Sequence, residues 1–132
     1  MQFHLLGVAG PGMGALAVLL REAGHSVSGS DVAFDPPIGP ALEAAGVRCL
    51  RGWDPANLEG AIDRVIVGNV VRAENPEAKA AEARGLSRTS MSRALREQFL
   101  AGRKPLVVTG THGKTTTAAM CALLLSKAGK EP

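Results

Sequence analysis

Short apolar runs rich in β-branched residues alternate along the chain with longer stretches whose apolar residues recur at helical spacing. The short runs predict strands at 3–6, 26–30, 47–50, 64–67, 86–88 and 106–109. The longer stretches predict helices at 12–23, 38–45, 76–84, 91–101 and about 114–127. This alternation is typical of an α/β fold with a Rossmann-like, doubly wound parallel sheet, helices on both faces and right-handed crossovers.

Local signals set several boundaries in this pattern. Asn75 precedes Pro76 as an N-cap precedes a first helical proline, and Gly85 follows as a stop. Ser90 is a second predicted N-cap. The run Gly-Arg-Lys-Pro at 102–105 is typical of a linker. We therefore expect one domain over 1–101, a linker over 102–105, and the opening strand, phosphate loop and helix of a second α/β domain over 106–132.

Composition excludes several classes of protein. The chain has 132 residues, 45% of them hydrophobic, with three Phe and one Trp, so its core is aliphatic. The longest apolar run, 15–20, is far shorter than the ~20 residues that span a bilayer, and no signal peptide is apparent, so no membrane insertion is expected. The net charge of +3 comes without interleaved aromatic residues, which argues against nucleic acid. The spacing of Cys49 and Cys121 supports neither a disulfide nor a metal pair, so both are expected to be free thiols in a reducing, cytoplasmic compartment.

A glycine-rich turn follows the first predicted strand. It reads Gly7-x-Ala9-x-x-Gly12, and a second register, Gly10-x-Gly12-x-x-Ala15, fits as well. Asp31 ends the second predicted strand, where a ribose-binding carboxylate is expected in dinucleotide-binding folds. The pattern favours a nucleotide diphosphate, either NAD or another, over a ligand-free structural turn.

A second, more specific loop follows the last predicted strand. It reads Gly110-Thr111-His112-Gly113-Lys114-Thr115-Thr116, with Val108 where the usual spacing has its first glycine. Backbone N–H groups and a helix N-terminus suit phosphate oxygens, a lysine neutralises β/γ-phosphate charge, and a hydroxyl suits Mg²⁺. This loop therefore predicts a nucleoside triphosphate site.

The two loops together carry a resemblance to a known family. The string from Gly110 to Thr116, preceded by a domain that opens with a Gly-rich loop and Gly12-Met13, resembles the Mur ligase family of peptidoglycan synthesis. Within that family, segments 29–31, 35–37, 68–69 and 75–77 resemble the members that ligate a tripeptide. The resemblance covers the whole chain, as the first domain and the opening of the second.

This resemblance implies an activity and its cofactors. Mur ligases use ATP and Mg²⁺ to convert a carboxylate of a UDP-linked muramic acid into an acyl phosphate, which an amine then displaces. The amine is an amino acid or a peptide, and here the resemblance points to a tripeptide, with L-alanine as the alternative. The remaining catalytic groups and the amine site are expected beyond residue 132, so this chain alone is expected to be inactive, in the cytoplasm of a bacterium.

The resemblance also assigns residues. Lys114 becomes the catalytic residue and Thr115 the Mg²⁺ ligand. The implied ATP-binding residues are Gly110, Thr111, His112, Gly113, Lys114, Thr115 and Thr116. The implied UDP-sugar-binding residues are Gly7, Ala9, Gly10, Pro11, Gly12, Met13, Asp31 and Asn69. Two alternatives stay open: Asn69 as a plain turn residue and His112 as loop packing. His4 and His25 are interpreted as structural. A rival of another class is an NAD- or nucleotide-binding regulatory module without ligase chemistry.

Overall fold

The computed structural model describes residues 1–132 and divides them into two compact units, Met1–Ala101 and Gly102–Pro132. The first unit holds five strands: β1 (Gln2–Leu6), β2 (Ser26–Asp31), β3 (Arg48–Arg51), β4 (Arg64–Val67) and β5 (Arg88–Ser90). Its helices are α1 (Pro11–Glu22), α2 (Ile38–Ala44), α3 (Pro76–Ala83) and α4 (Met91–Leu95), with a 3-10 turn at Pro55–Leu58 and a π-helical turn at Arg96–Leu100. The second unit contains α5 (Lys114–Lys127).

All strands of the sheet are parallel, in the order β3-β2-β1-β4-β5. The predicted α/β class with a doubly wound parallel sheet is thereby confirmed. The strand order reverses between β1 and β4, and ligands of such sheets bind in the crevice outside the carboxyl ends of the strands at this switch point.

Each face of the sheet buries a separate core. On one face, α1, α2 and α4 contribute Leu16, Leu42 and Ala94 to a cluster around Phe3 and Leu5. On the other face, a smaller cluster joins Leu6 and Val65 to α3 and the 3-10 turn through Ala78, Ala81 and Leu58. The predicted helices on both faces are thus present.

The local cap signals gave correct boundaries. The Asn75 side chain accepts hydrogen bonds from the backbone N–H groups of Glu77 and Ala78, and Ser90 caps α4 by accepting from Arg93 N–H. The predicted helix over 91–101 forms as α4 followed by the π-helical turn. Leu95 and Phe99 both pack on the first core cluster, as their shared face predicted.

One predicted strand lies at different residues in the structure, and another does not form. The fifth strand lies at Arg88–Ser90 and not at 86–88, because the Leu86 N–H still bonds to the Ala81 carbonyl, 2.9 Å away, and closes the end of α3. Residues 106–109 do not form the predicted sixth strand. A strand needs a neighbour to pair its backbone groups, and the second unit contains no other strand. Leu106 and Val107 are accordingly 67% and 77% exposed.

Candidate nucleotide-binding site

The glycine-rich turn after β1 is fixed by backbone hydrogen bonds to the neighbouring strand. The N–H groups of Gly7 and Val8 both donate to the Ser30 carbonyl at the end of β2, at 2.9 and 3.2 Å. Gly7 has a φ of +81°, a conformation that L side chains rarely adopt. Gly10 N–H then closes the turn on the Gly7 carbonyl at 3.3 Å. The turn therefore has one defined shape before any ligand arrives.

Asp31 contacts this turn directly. Its Oδ2 accepts a hydrogen bond from Ala9 N–H at 2.9 Å, while Oδ1 accepts one from Val32 N–H at 2.8 Å. Asp31 is half-buried, and its carboxylate still has unused lone pairs, because an ionised carboxylate offers about four acceptor sites. Asp31 thus holds the turn and also remains free to accept a hydroxyl.

The N-terminus of α1 carries two uncommitted backbone donors. Gly10 is the N-cap, Pro11 has no N–H, and Gly14 N–H bonds to the Gly10 carbonyl at 2.7 Å. No side chain caps this helix. The N–H groups of Gly12 and Met13 are therefore the orphan donors of the first turn, at the positive end of the helix dipole. This is an arrangement that suits an anion.

Other residues predicted for the sugar nucleotide surround these donors in different ways. Pro11 is exposed beside them, and Asn69 is exposed in the turn after β4. That turn approaches the glycine-rich loop, since a Cβ on Gly7 would lie 3.3 Å from Val71 Cγ2. The Met13 side chain is buried in the core, so any contribution of Met13 to a ligand is limited to its backbone N–H. A Cβ on Gly12 would meet Met91 Sδ of α4 at 3.1 Å.

A buried polar cluster lies on the far side of Ser30, and the sequence interpretation missed it. We define the polar cluster as His4, Ser28, Ser30, Asn57 and Glu77. The His4, Ser30 and Glu77 side chains are completely buried. Burial alone raises the pKa of Glu77, but hydrogen bonds from His4, Ser30, Asn57 and the Asp54 N–H outweigh it and hold that pKa below its ordinary value. A signal was present in the sequence: the polar residues at 4, 28 and 30 fall on one face of two neighbouring predicted strands.

The second loop lies in the second unit and turns through two glycines. Gly110 and Gly113 have φ values of +149° and +74°, and Gly113 is the N-cap of α5. No side chain caps α5, so its first-turn N–H groups are open like those of α1. The Lys114 ammonium donates to the carbonyls of Gly110 and Thr111 at 2.8 and 3.4 Å. Thr111, His112, Thr115 and Thr116 are exposed.

These residues fit a nucleoside triphosphate by their chemistry. The loop presents backbone donors, one ammonium and several hydroxyls to solvent, and no acidic side chain stands within it. Thr115 offers a hard oxygen of the kind Mg²⁺ takes, although no group of three or more His, Cys, Asp or Glu side chains in the chain has the arrangement of a metal site. None of the helices combines the length and apolar character needed to cross a membrane.

The fold and the first loop define a class of protein. A doubly wound parallel sheet with open helix N–H groups at its switch point has the architecture of a Rossmann-like domain. Residues 2–103 match the family described as Mur ligase family, catalytic domain, and the chain belongs to the Mur ligase family.

Individual relatives agree with this assignment. The chain is 40% identical over 132 residues to the UDP-N-acetylmuramate–L-alanyl-gamma-D-glutamyl-meso-2,6-diaminoheptandioate ligase of Escherichia coli (strain K12), covering 100% of this chain and 29% of that protein. It is 47% identical over 131 residues to the UDP-N-acetylmuramate–L-alanine ligase of Kineococcus radiotolerans, covering 98% of this chain and 27% of that protein. The crystal structure of a murein peptide ligase from Psychrobacter arcticus 273-4 superposes with a TM-score of 0.92 at 43% identity, covering 98% of this chain and 27% of that one. The chain thus spans less than a third of the length of these relatives.

Proposed function

We propose that the first unit binds UDP-N-acetylmuramic acid or a derivative of it, as the sugar-nucleotide domain of an ATP-dependent ligase of peptidoglycan synthesis or recycling. The observation that carries this proposal is the pair of open amides, Gly12 and Met13, at the switch point of the sheet. The names of the relatives, which are ligases of UDP-N-acetylmuramate, supply the ligand.

In this proposal each part of the first loop has a separate task. The open N–H groups of α1 receive the diphosphate, where the helix dipole favours negative charge. Asp31 accepts a ribose hydroxyl with the lone pairs that Ala9 and Val32 leave free. Asn69, exposed after β4, contacts the sugar.

We further propose that 102–105 is a linker and that 106–132 begins the ATP-binding domain. Bound ATP supplies the phosphoryl group that activates the substrate carboxylate. Lys114 neutralises the β/γ-phosphate charge, Thr115 holds Mg²⁺, and the amides from Gly110 to Thr116 surround the phosphates. The Lys114 ammonium lies against its own loop, where it donates to the carbonyls of Gly110 and Thr111.

The amine substrate in our proposal is the tripeptide of the murein peptide ligases. The TM-score of 0.92 to the Psychrobacter arcticus enzyme supports this choice. L-Alanine is the alternative, supported by the 47% identity to the Kineococcus radiotolerans ligase.

Calorimetric titration of the 132-residue chain with UDP-N-acetylmuramate tests the sugar-nucleotide site. We expect saturable binding, and about tenfold or greater loss of affinity in Gly10→Val, since a bulky side chain there stands over the open amides. Gly10 has a φ of −69° and ψ of 144°, which valine adopts readily, and its nearest obstacle is the Gly7 carbonyl oxygen at 3.5 Å.

A matched control adds the same side chain elsewhere on α1. Ala15→Val places it on an exposed position beyond the first turn and should leave the affinity unchanged. A folded wild-type chain that takes up no UDP-N-acetylmuramate would contradict the proposal. A chain that binds NAD tightly and does not bind UDP compounds would favour a nucleotide-binding regulatory module instead.

A further inference from the structure

Ser30 connects the glycine-rich turn to the polar cluster. Its carbonyl accepts the N–H groups of Gly7 and Val8, the first two residues of the turn. Its hydroxyl donates to Glu77 Oε2 on α3. Because one fully buried residue makes both kinds of bond, Ser30 links the backbone that holds the turn to Glu77 on α3.

Glu77 is held from four directions. Its Oε2 receives the Ser30 hydroxyl and lies 3.5 Å from His4 Nε2. Its Oε1 receives the Asn57 amide at 2.6 Å and the Asp54 N–H at 3.0 Å. A buried carboxylate is tolerated only when its oxygens are satisfied in this way. Glu77 therefore fixes β1, β2, α3 and the 3-10 turn against one another.

His4 completes the polar cluster on the side of β1. Its Nδ1 lies 2.8 Å from Ser28 Oγ, and its Nε2 lies 3.4 Å from Ser30 Oγ and 3.5 Å from Glu77 Oε2. The tautomer with the proton on Nε2 satisfies all of these partners, since Nδ1 then accepts from the Ser28 hydroxyl and Nε2 donates toward Glu77. Ser28 thus holds the ring through Nδ1, while Nε2 faces Glu77 and Ser30.

We propose that Glu77 and His4 are positioning residues for the nucleotide-binding turn, acting through Ser30 to set where the open amides of α1 stand. They touch no ligand and lie beneath the turn. This inference rests on the proposed function, because its consequence is affinity for the diphosphate of UDP-N-acetylmuramate. A simple contribution to core stability predicts something different: loss of stability without a change at the turn.

Glu77→Gln in the 132-residue chain separates these two roles. The substitution keeps the shape of the side chain but removes its charge and one acceptor oxygen, so the Ser30 hydroxyl must find another orientation. We expect the backbone amide resonances of Gly7 and Val8 to shift in nitrogen–proton NMR spectra without ligand. We also expect the dissociation constant for UDP-N-acetylmuramate to rise about tenfold, the scale of a lost hydrogen bond to a charged group.

Leu58→Ala is the matched control. Leu58 is completely buried in the core cluster on the same face, yet its side chain has no polar atom that could bond to the polar cluster. This variant should lose stability while its Gly7 and Val8 resonances and its affinity stay near the wild type. Ser30→Ala, which removes only the hydroxyl, serves if Glu77→Gln does not fold, and should reproduce both effects.

Two results would overturn the inference: a folded Glu77→Gln or Ser30→Ala chain with unchanged Gly7 and Val8 resonances, or an equal loss of affinity in Leu58→Ala. Failure of the proposed function looks different, because the wild-type chain would then not bind UDP-N-acetylmuramate at all. The ligand-free NMR comparison would still decide whether Glu77 and Ser30 position the turn.

Discussion

Gly29→Ala is the substitution that most directly tests how tightly the sheet and the glycine-rich turn are packed. Gly29 lies in β2 opposite Leu5 of β1. A Cβ at this position would lie 2.6 Å from Val8 Cβ, 2.8 Å from Val8 Cγ1 and 2.9 Å from the Leu5 carbonyl oxygen. Since carbon atoms prefer separations of about 3.5–4.0 Å, Val8 must move by about 1 Å to admit one methyl group.

The expected loss of stability follows from these distances. Overpacking of this kind costs about 1–3 kcal/mol, and the upper end applies because one obstacle is backbone and the other is a β-branched side chain at its root. Replacing glycine by alanine also restricts the unfolded chain, which returns up to about 1 kcal/mol. The net change is about 2 kcal/mol, or a fall in melting temperature of at least about 8 °C for a domain of this size.

Gly12→Ala is the matched control, because it adds the same methyl group in the same unit. There the nearest atoms are Met91 Sδ at 3.1 Å and Met91 Cε at 3.3 Å, the far end of a flexible side chain. We expect its free energy of unfolding to change by less than about 1 kcal/mol, since the gain in helix propensity offsets the adjustment of Met91. Urea and thermal unfolding followed by circular dichroism measure both variants. Equal stability of Gly29→Ala and Gly12→Ala would refute the packing argument.

Three further predictions concern single side chains. Asn75→Ala should lower the free energy of unfolding by about 1 kcal/mol in urea titrations, because Asn75 Oδ1 caps α3 through Glu77 N–H at 2.9 Å and Ala78 N–H at 3.2 Å. The pKa of Glu77 is held below its ordinary value of 4.5. The stabilisation that Glu77 contributes is therefore complete above pH 4.5 and is lost as the pH falls through the lower pKa of the folded state. The urea midpoint of the wild type should accordingly fall more steeply with acid than that of Glu77→Gln. Burial, aided by the charge of Glu43, raises the pKa of the Cys49 thiol, so in a Cys121→Ser chain iodoacetamide should modify Cys49 more slowly at neutral pH in the folded than in the urea-unfolded state.

Each of these has its own contrary result. Asn69→Ala, in an exposed turn, is the control for Asn75→Ala, and an equal effect of the two would argue against the cap. Parallel acid profiles of the wild type and Glu77→Gln would show that the Glu77 carboxylate contributes nothing in its charged form. Equal modification rates in the two states would mean that Cys49 is not shielded by the fold.

Much of the fold was predictable because its signals are local. Asn75, Pro76 and Gly85 mark α3 through the backbone preferences of adjacent residues, and the structure confirms that helix. The strand at 106–109 was wrongly predicted because a strand also depends on a partner, which an apolar run cannot specify. The shift of β5 has a local cause instead: the Leu86 N–H bonds back to the Ala81 carbonyl and completes the end of α3 beyond Gly85, which the apolar character of Leu86 does not reveal.

In the candidate site too, residues marked by local signals were predictable, and contacts that only the fold creates were not. Gly7 and Asp31 were recognisable because the turn and the end of the second strand have typical positions in such folds. The assignments to UDP-N-acetylmuramate and ATP stay predictions. The buried role of Glu77 was not predictable, because its partners Ser30 and His4 are far away in the sequence and meet it only when α3 packs on the sheet. The bond from Ala9 to Asp31 likewise needs the pairing of two strands to be seen.

The strand order has a consequence for how copies of this chain behave in solution. The exposed edges of the sheet belong to β3 and β5, which have only four and three residues. Arg48 and Arg51 stand at both ends of β3, and Arg88 begins β5. Short edge strands that carry charged side chains resist pairing with the edge of another molecule. The sheet is thereby protected from edge-to-edge aggregation at the high protein concentrations that calorimetry and NMR require.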